Sequence, residues 1–200
     1  RRALVRSGLH RAQVQSYVAT MARTAAEALA TVRPGEPFDG YDLFRDAVRR
    51  STMRCLFGER IATHADAVGD ALQPQLLSVH ERLRTKTWRE AMAARATVDE
   101  FVFREIDRLE VGDTEEDEPQ VLSVLGHGRD GSGSGLSRAE IRDQMVTLIA
   151  AGYETTSAAM GWILHGLGGQ PDVLRKARAQ VLEVTAGEPV TADDLPKLTW

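Results

Sequence analysis

An acid and two hydroxyl side chains stand at the centre of a stretch that otherwise reads as one long apolar helix. The stretch is LSRAEIRDQMVTLIAAGYETTSAAMGWILHGL, residues 136–167, and its centre is AGYETT, residues 151–156. Glycine costs a helix about 1 kcal/mol relative to alanine, and threonine is also a poor helix former. A carboxylate among apolar neighbours is costly unless it is paired or has a function. Glu154 and Thr155 are therefore the candidate catalytic residues, because an acid beside a hydroxyl group can deliver protons to a flat ligand.

The spacing of these residues predicts which of them share a face of the helix. The 3.6-residue period places Ala151 and Thr155 on one face, which Thr147 or Leu148 extends. The Thr155 hydroxyl can donate to the carbonyl of Ala151 and so bend or open the helix. Such openings often mark functional sites, and we expect a local widening between Ala151 and Thr155. The alternative is a helix–helix crossing, in which Ala151 and Gly152 simply permit close contact.

The elements that must hold this stretch are predicted to be helices. Ser137 and Glu140 have the spacing of a capping box, so the central helix is predicted over residues 137–166, about 45 Å long. Further helices are predicted over 11–32, 41–57, 62–82, 86–110, 120–127 and 171–184. The first of these presents an apolar face made of Val14, Tyr17, Val18, Met21, Ala25 and Leu29. Since the sequence shows no strong alternating strand pattern, we predict an all-α fold with one long central helix.

Composition limits the classes of function. The 200 residues carry a net charge of −4, which gives no reason to expect a nucleic-acid partner, and no apolar run reaches the length of a membrane span. Cys55 is the single cysteine and cannot form an internal disulfide, which fits a reducing compartment and predicts a cytoplasmic location. We interpret Cys55 as a buried structural residue. The five histidines form no metal-binding motif, so no metal site is predicted in this chain.

Together with its flanks, the central stretch resembles a known family. AGYETT matches the oxygen-activation motif of the cytochrome P450 family, the heme-thiolate monooxygenases: alanine or glycine, glycine, any residue, an acid, threonine, then threonine or serine. LSRAEIRDQMVTLIAAGYETTSAAMGW resembles the family's long central helix, QPDVLRKARAQV the following helix, and DLPKLTW the lead-in to the next. Upstream, LFGER and RRALVRSG resemble earlier helices of the family. The resemblance implies that residues 1–200 form a single partial domain, the central part of the fold without its N-terminal part or its C-terminal heme-ligand part.

The resemblance also implies roles at a heme. Ala151 and Gly152 would lie against the heme face, where a larger side chain would crowd bound oxygen. Thr155 would hydrogen-bond the oxygen species on the iron. Glu154 would relay protons towards it from solvent.

Residues at the edges of that site are implicated in the same way. Thr147, Leu148 and Ala150 would face the substrate pocket. Arg1 aligns with a basic residue that pairs with a heme propionate, and Arg2 is the alternative. The family's iron ligand is a cysteine in a loop that this sequence does not contain, and Cys55 is not a substitute for it.

The function implied by the resemblance is a monooxygenase reaction. Such an oxidoreductase would use heme b, O2 and electrons from a ferredoxin or a flavoprotein to insert an oxygen atom into a small organic substrate. Without the thiolate ligand, the chain alone is expected to be inactive. The alternative is a helical interaction or small-ligand-binding module of degenerate P450 type without redox activity. A Glu–x–x–Arg pair followed by a cysteine loop in the rest of the protein would favour the enzyme.

Overall fold

The described part of the chain is built from helices. The computed structural model describes residues 10–59, 68, 86–113, 120–129 and 131–199, and within these ranges every regular element is helical. The helices are α1 (Arg11–Ser16), α2 (Val18–Leu29), α3 (Gly40–Phe57), α4 (Lys86–Glu110), α5 (Val121–His127), α6 (Arg138–Gly168) and α7 (Pro171–Thr185), followed by a 3-10 turn at Leu195–Lys197. This architecture confirms the predicted all-α class. Of the helix predicted over 62–82, only Val68 is among the described residues, where it is buried in the core.

The longest described helix is α6, and it begins where the capping box predicts. The Ser137 hydroxyl accepts from the amide of Glu140 at 3.3 Å, and the Glu140 carboxylate accepts from the Ser137 amide at 2.9 Å. Its 31 residues give a length of about 46 Å. It contacts α3, α4, α5 and α7, so it runs through the body of the described structure as expected.

The core lies where α3, α4, α5 and α6 meet. Its most completely buried side chains are Met53, Val98, Val102, Ile106, Leu125, Met145 and Ile149. Each such side chain contributes about 1.5–3 kcal/mol through removal from water. Cys55 is 7% exposed and packs in the same cluster, which confirms that it is a buried residue.

Arginine side chains fix the first half of α6 against α4. Arg142 donates from Nε to the Asp99 carboxylate at 2.7 Å, and Arg138 donates to Glu110 at 2.6 Å. The Arg138 pair is exposed and contributes little net stability, whereas the Arg142 pair is partly buried. Their geometric effect is to tie α6 to its neighbour along the first turns, well before residues 151–156.

The first predicted helix is wrong in one respect, because the chain forms two helices there. A turn at Tyr17 separates α1 from α2, and the Tyr17 amide donates to the carbonyl of Val14 at 3.2 Å. A bond over three residues tightens the backbone relative to an α-helix, and the Tyr17 side chain is buried at this turn. Of the predicted apolar face, Tyr17 and Val18 are buried, whereas Met21 and Leu29 remain exposed.

None of the helices among the described residues is long and apolar enough to cross a membrane.

Candidate functional site

The centre of α6 has a buried side and an open side. Ile149, Tyr153 and Ser157 recur every four residues and are buried. Ala151 and Thr155 also lie four residues apart, and both are exposed. The open side therefore carries small side chains, as the spacing predicts.

The Thr155 hydroxyl makes the hydrogen bond that the sequence suggests. Its Oγ1 donates to the carbonyl of Ala151 at 3.3 Å. The expected widening is absent, because α6 is a continuous α-helix from Arg138 to Gly168. A carbonyl oxygen has two lone pairs, so the Ala151 carbonyl can accept from the Thr155 hydroxyl without losing the backbone bond of the helix.

Gly152 points towards α3, at the edge of the open side. A Cβ atom at this position would lie 3.0 Å from Cγ2 and 3.5 Å from Oγ1 of Thr52. Because carbon atoms prefer to be about 3.5–4.0 Å apart, the glycine permits a closer approach of the two helices than alanine would. This supports the helix-crossing interpretation for Gly152, and its predicted contact with a heme stays a prediction.

Glu154 is held by a residue that the sequence interpretation did not identify. The Tyr41 hydroxyl donates to the Glu154 carboxylate at 2.6 Å. Glu154 is exposed rather than enclosed by apolar side chains. The two residues are 113 positions apart in the sequence, so no local pattern could have predicted this pair.

Tyr41 is positioned by the first turn of α3. Asp39 is the N-cap of that helix, and its side chain accepts from the Tyr41 amide at 2.8 Å and from the Asp42 amide at 3.0 Å. The Arg45 guanidinium lies 5.9 Å from the centroid of the Tyr41 ring. The hydrogen bond to Glu154 and partial burial raise the pKa of the Tyr41 hydroxyl above its ordinary value of 10.0, so this hydroxyl remains a donor at neutral pH.

An open cleft adjoins Tyr41. It has a volume of about 600 Å³ and is lined by Gly40, Tyr41, Ala158, Gly161, Trp162, Leu164 and His165. The Trp162 and His165 rings meet edge to face, with centroids 5.9 Å apart, and Trp162 is 73% exposed. Trp162 is therefore a surface residue in the described structure.

A second cavity lies on the other side of α6. It has a volume of about 360 Å³ and is mainly apolar, lined by residues of α2, α3 and α6 that include Met21, Leu29, Phe44, Gly152 and Thr156. Thr155 and Thr156 thus face different surroundings although they are adjacent. This separation provides a matched control for experiments on Thr155.

The three predicted substrate residues do not share one side of α6. Thr147 is exposed, and its hydroxyl donates to the carbonyl of Asp143 at 2.7 Å. Leu148 is half-buried and packs against the core cluster, and Ala150 is also half-buried. At about 100° per residue, Ala150 lies about 160° around the helix from Leu148. The structure brings Thr147 next to Ala151 and Thr155, whereas Ala150 points elsewhere.

The structure does not describe the predicted propionate-binding residues and shows how possible metal ligands are arranged. Arg1 and Arg2 lie outside the described residues. In the described ranges, no group of three or more His, Cys, Asp or Glu side chains is arranged to hold a metal ion.

Comparison with known proteins gives consistent matches along the chain. A family model for Cytochrome P450 matches residues 1–200. "Putative cytochrome P450 139" of Mycobacterium tuberculosis and of Mycobacterium bovis is 38% identical over 100% of this chain and 48% of its own length. "Cyclooctat-9-en-7-ol 5-monooxygenase" of Streptomyces melanosporofaciens is 28% identical over 100% of this chain and 46% of its own. The chain thus spans about half the length of the curated relatives it matches.

A solved structure shares the fold. "Retinoic acid bound cyanobacterial CYP120A1" matches with a TM-score of 0.86 and 20% identity, over 98% of this chain and 45% of that chain. At this identity the match concerns the fold alone.

Proposed function

The chain belongs to the cytochrome P450 family of heme monooxygenases, and we propose that the whole protein inserts one atom of O2 into a small organic substrate. The observation that carries this proposal is the open side of α6, where exposed Ala151 and Thr155 stand one turn apart. Glu154 lies next to them in the chain with its carboxylate fixed by Tyr41. The family match covers these residues, which supports the roles proposed for them.

The residues present fit a flat cofactor such as heme b. Ala151, Thr155 and Ala159 follow each other at four-residue intervals and are all exposed. None of them has a long side chain, so a planar group can lie close to the helix axis along this side. Heme, when bound, supplies the redox chemistry that activates dioxygen. We propose that Ala151 and Thr155 form its wall in this chain, with Gly152 allowing α6 to approach α3 at the edge of this side.

The chain's own residues would handle protons. The Thr155 hydroxyl, which donates to the Ala151 carbonyl in this structure, can rotate and donate towards the open side instead. The Glu154 carboxylate can accept a proton from solvent, since it is exposed, and pass it on towards Thr155. Positioned proton transfer of this kind typically contributes about 10²–10⁴-fold to a rate.

Substrate and electron donor are proposed at the level of class. The relative from Streptomyces melanosporofaciens is named for an organic compound, cyclooctat-9-en-7-ol. We propose a small organic substrate for this protein as well, with Thr147 and Leu148 beside the open side as its nearest contacts. A ferredoxin or a flavoprotein would deliver the electrons. We propose a cytoplasmic location, which the one cysteine among these 200 residues fits.

Thr155→Ala in the whole protein tests the proposal. Removing one well-placed hydrogen-bonding group at a reaction centre costs about 2.7–4 kcal/mol in the barrier, so we expect less product per electron consumed and more hydrogen peroxide. The dissociation constant for substrate should change little. Thr155→Ser keeps the hydroxyl and should retain most of the coupling.

Thr156→Ala is the matched control, because Thr156 lines the apolar cavity between α2, α3 and α6. It should leave the product-to-electron ratio unchanged. If Thr155→Ala leaves that ratio unchanged and weakens substrate binding instead, Thr155 is a packing or pocket residue. If the whole protein holds no heme, the interaction or small-ligand-binding alternative is correct.

A further inference from the structure

We propose that Tyr41 is a positioning residue for Glu154, which its hydroxyl holds at the junction of α3 and α6. This inference rests on the proposed function, since it assigns a role in the same proton transfer. It concerns a residue outside the AGYETT motif and outside α6.

The contact between Tyr41 and Glu154 is short and involves a charge. The distance from the Tyr41 hydroxyl oxygen to Oε1 of Glu154 is 2.6 Å. Hydrogen bonds from a neutral hydroxyl to a carboxylate are about 2.5–2.7 Å long and roughly twice as strong as those between neutral groups. A glutamate has three rotatable side-chain bonds, so a donor of this strength selects one orientation of the carboxylate among several.

Tyr41 is itself well fixed, which makes it suitable for this role. Its backbone amide is held by the Asp39 cap. A Cβ atom on Gly161 would lie 3.8 Å from Cδ2 of the Tyr41 ring and 4.0 Å from its Cα. The ring therefore lies beside Gly161, two turns beyond Glu154, with room for a methyl group between them. With its backbone held by the cap and its ring beside α6, the hydroxyl has a defined place along that helix.

The charged groups around Tyr41 keep its hydroxyl protonated. Glu154 has the largest effect, through the hydrogen bond, and together with Asp42 it raises the pKa of Tyr41, whereas Arg45 lowers it. Asp39 contacts the Tyr41 amide, and His165 lines the same cleft. The net shift is upward, so Tyr41 donates to Glu154 throughout the pH range in which the enzyme would work.

Tyr41→Phe in the whole protein removes the hydroxyl and keeps the ring. We expect the amount of product per electron to fall about threefold to tenfold. This loss is small for a charge-assisted hydrogen bond, because Glu154 is exposed. The solvent isotope effect on turnover should increase. The substrate dissociation constant and the carbon monoxide spectrum should remain those of the wild type. Tyr17→Phe is the matched control, because the Tyr17 hydroxyl accepts from Gln13 far from this site.

A double variant tests whether the two residues act together. If Tyr41 acts by positioning Glu154, the combination of Tyr41→Phe with Glu154→Gln should be no worse than Glu154→Gln alone. Additive losses would overturn the inference. A Tyr41→Phe protein with wild-type coupling and isotope effect, beside an impaired Glu154→Gln protein, would overturn the inference and leave the proposed function intact.

A spectroscopic readout is independent of turnover. Ultraviolet resonance Raman difference spectra, wild type minus Tyr41→Phe, isolate the ring vibrations of Tyr41, which respond to hydrogen-bond donation. We expect the signature of a strong donor in the wild type and a weaker one in Glu154→Gln. An identical Tyr41 signal in both proteins would overturn the positioning role. If Glu154→Gln leaves coupling and isotope effect unchanged in a protein that binds heme and substrate, the proton route of the proposed function fails, and this inference fails with it.

Discussion

A methyl group added at position 152 would test whether this residue packs against α3 or faces the cofactor. In Gly152→Ala, the new Cβ atom would lie 3.0 Å from Cγ2 of Thr52, closer than carbon atoms prefer. Either α3 and α6 separate by a few tenths of an ångström or the Thr52 side chain moves. Overpacking of this kind costs about 1–3 kcal/mol, and the better helix propensity of alanine offsets about 1 kcal/mol. We expect the free energy of unfolding to fall by about 0–2 kcal/mol.

Two further variants separate the effect of the contact with Thr52 from the effect of helix propensity. At Gly166, in the same helix, an added Cβ atom would have nothing within 4 Å, so Gly166→Ala should raise the free energy of unfolding by up to about 1 kcal/mol. Thr52→Ser removes the methyl group nearest to position 152. In that background, Gly152→Ala should become neutral or stabilising, because the methyl group that the new Cβ atom would contact is gone. The effects of the two substitutions are then not additive.

The assay is urea unfolding of the whole protein followed by circular dichroism, with the heme absorption spectrum recorded for each variant. If Gly152 packs against α3, Gly152→Ala lowers the free energy of unfolding and Thr52→Ser removes this loss. The heme spectrum then stays unaltered. This interpretation is refuted if Gly152→Ala costs the same in both backgrounds and shifts the heme spectrum. That result would place Gly152 on the cofactor side, as the family resemblance implies.

Two other features give predictions of a simpler kind. Ser137→Ala removes the N-cap of α6 and should lower the free energy of unfolding by about 1 kcal/mol; Ser137→Asp, which keeps an acceptor, should lose less in the same urea assay, and an equal loss would show that the cap is unimportant. The hydroxyl and amide of Thr191, with Lys197, lower the pKa of the Asp194 carboxyl from 3.8 to about 2. A group with a lowered pKa stabilises the folded state fully at a pH above its ordinary pKa, and this stabilisation is lost as the pH falls through the lowered pKa. The difference in thermal midpoint between the wild type and Asp194→Asn should therefore be constant from neutral pH down to about pH 4. It should shrink as the pH falls further towards about 2. A difference that does not depend on pH would contradict the assignment.

Local signals predicted the central helix well. The start of α6 depends on Ser137 and Glu140, which are three residues apart and bond each other directly. The end of α3 depends on Gly58, whose φ of 95° is unfavourable for other residues. Signals of this kind involve neighbouring residues, so they can be read without knowledge of the rest of the fold.

The contacts between helices could not be predicted in the same way. AGYETT has small residues on several sides, so its hydrophobic period does not show which side another helix covers. The structure puts Thr52 against Gly152 and leaves Ala151 exposed. The partner of Glu154 is Tyr41, 113 residues away, and only the packing of α3 on α6 brings the two together.

The direction of α3 explains why both contacts occur on one helix. Tyr41 packs near Gly161, and Thr52 packs near Gly152, so the residue number rises along α3 as it falls along α6 and the helices are antiparallel. Twelve residues of α3, 41–52, therefore run beside ten residues of α6, 152–161.

This arrangement imposes different demands on adjacent residues of α6. Position 152 must be small because α3 is close, whereas position 151 is exposed and is expected to be small because a cofactor needs the space. At about 100° per residue the two positions point in clearly different directions. A larger side chain at 151 should therefore change the heme spectrum with little effect on stability, and one at 152 should do the reverse. Tyr41 of α3 restrains Glu154. A change in the packing of α3 should therefore move the Glu154 carboxylate and alter the rate of proton transfer.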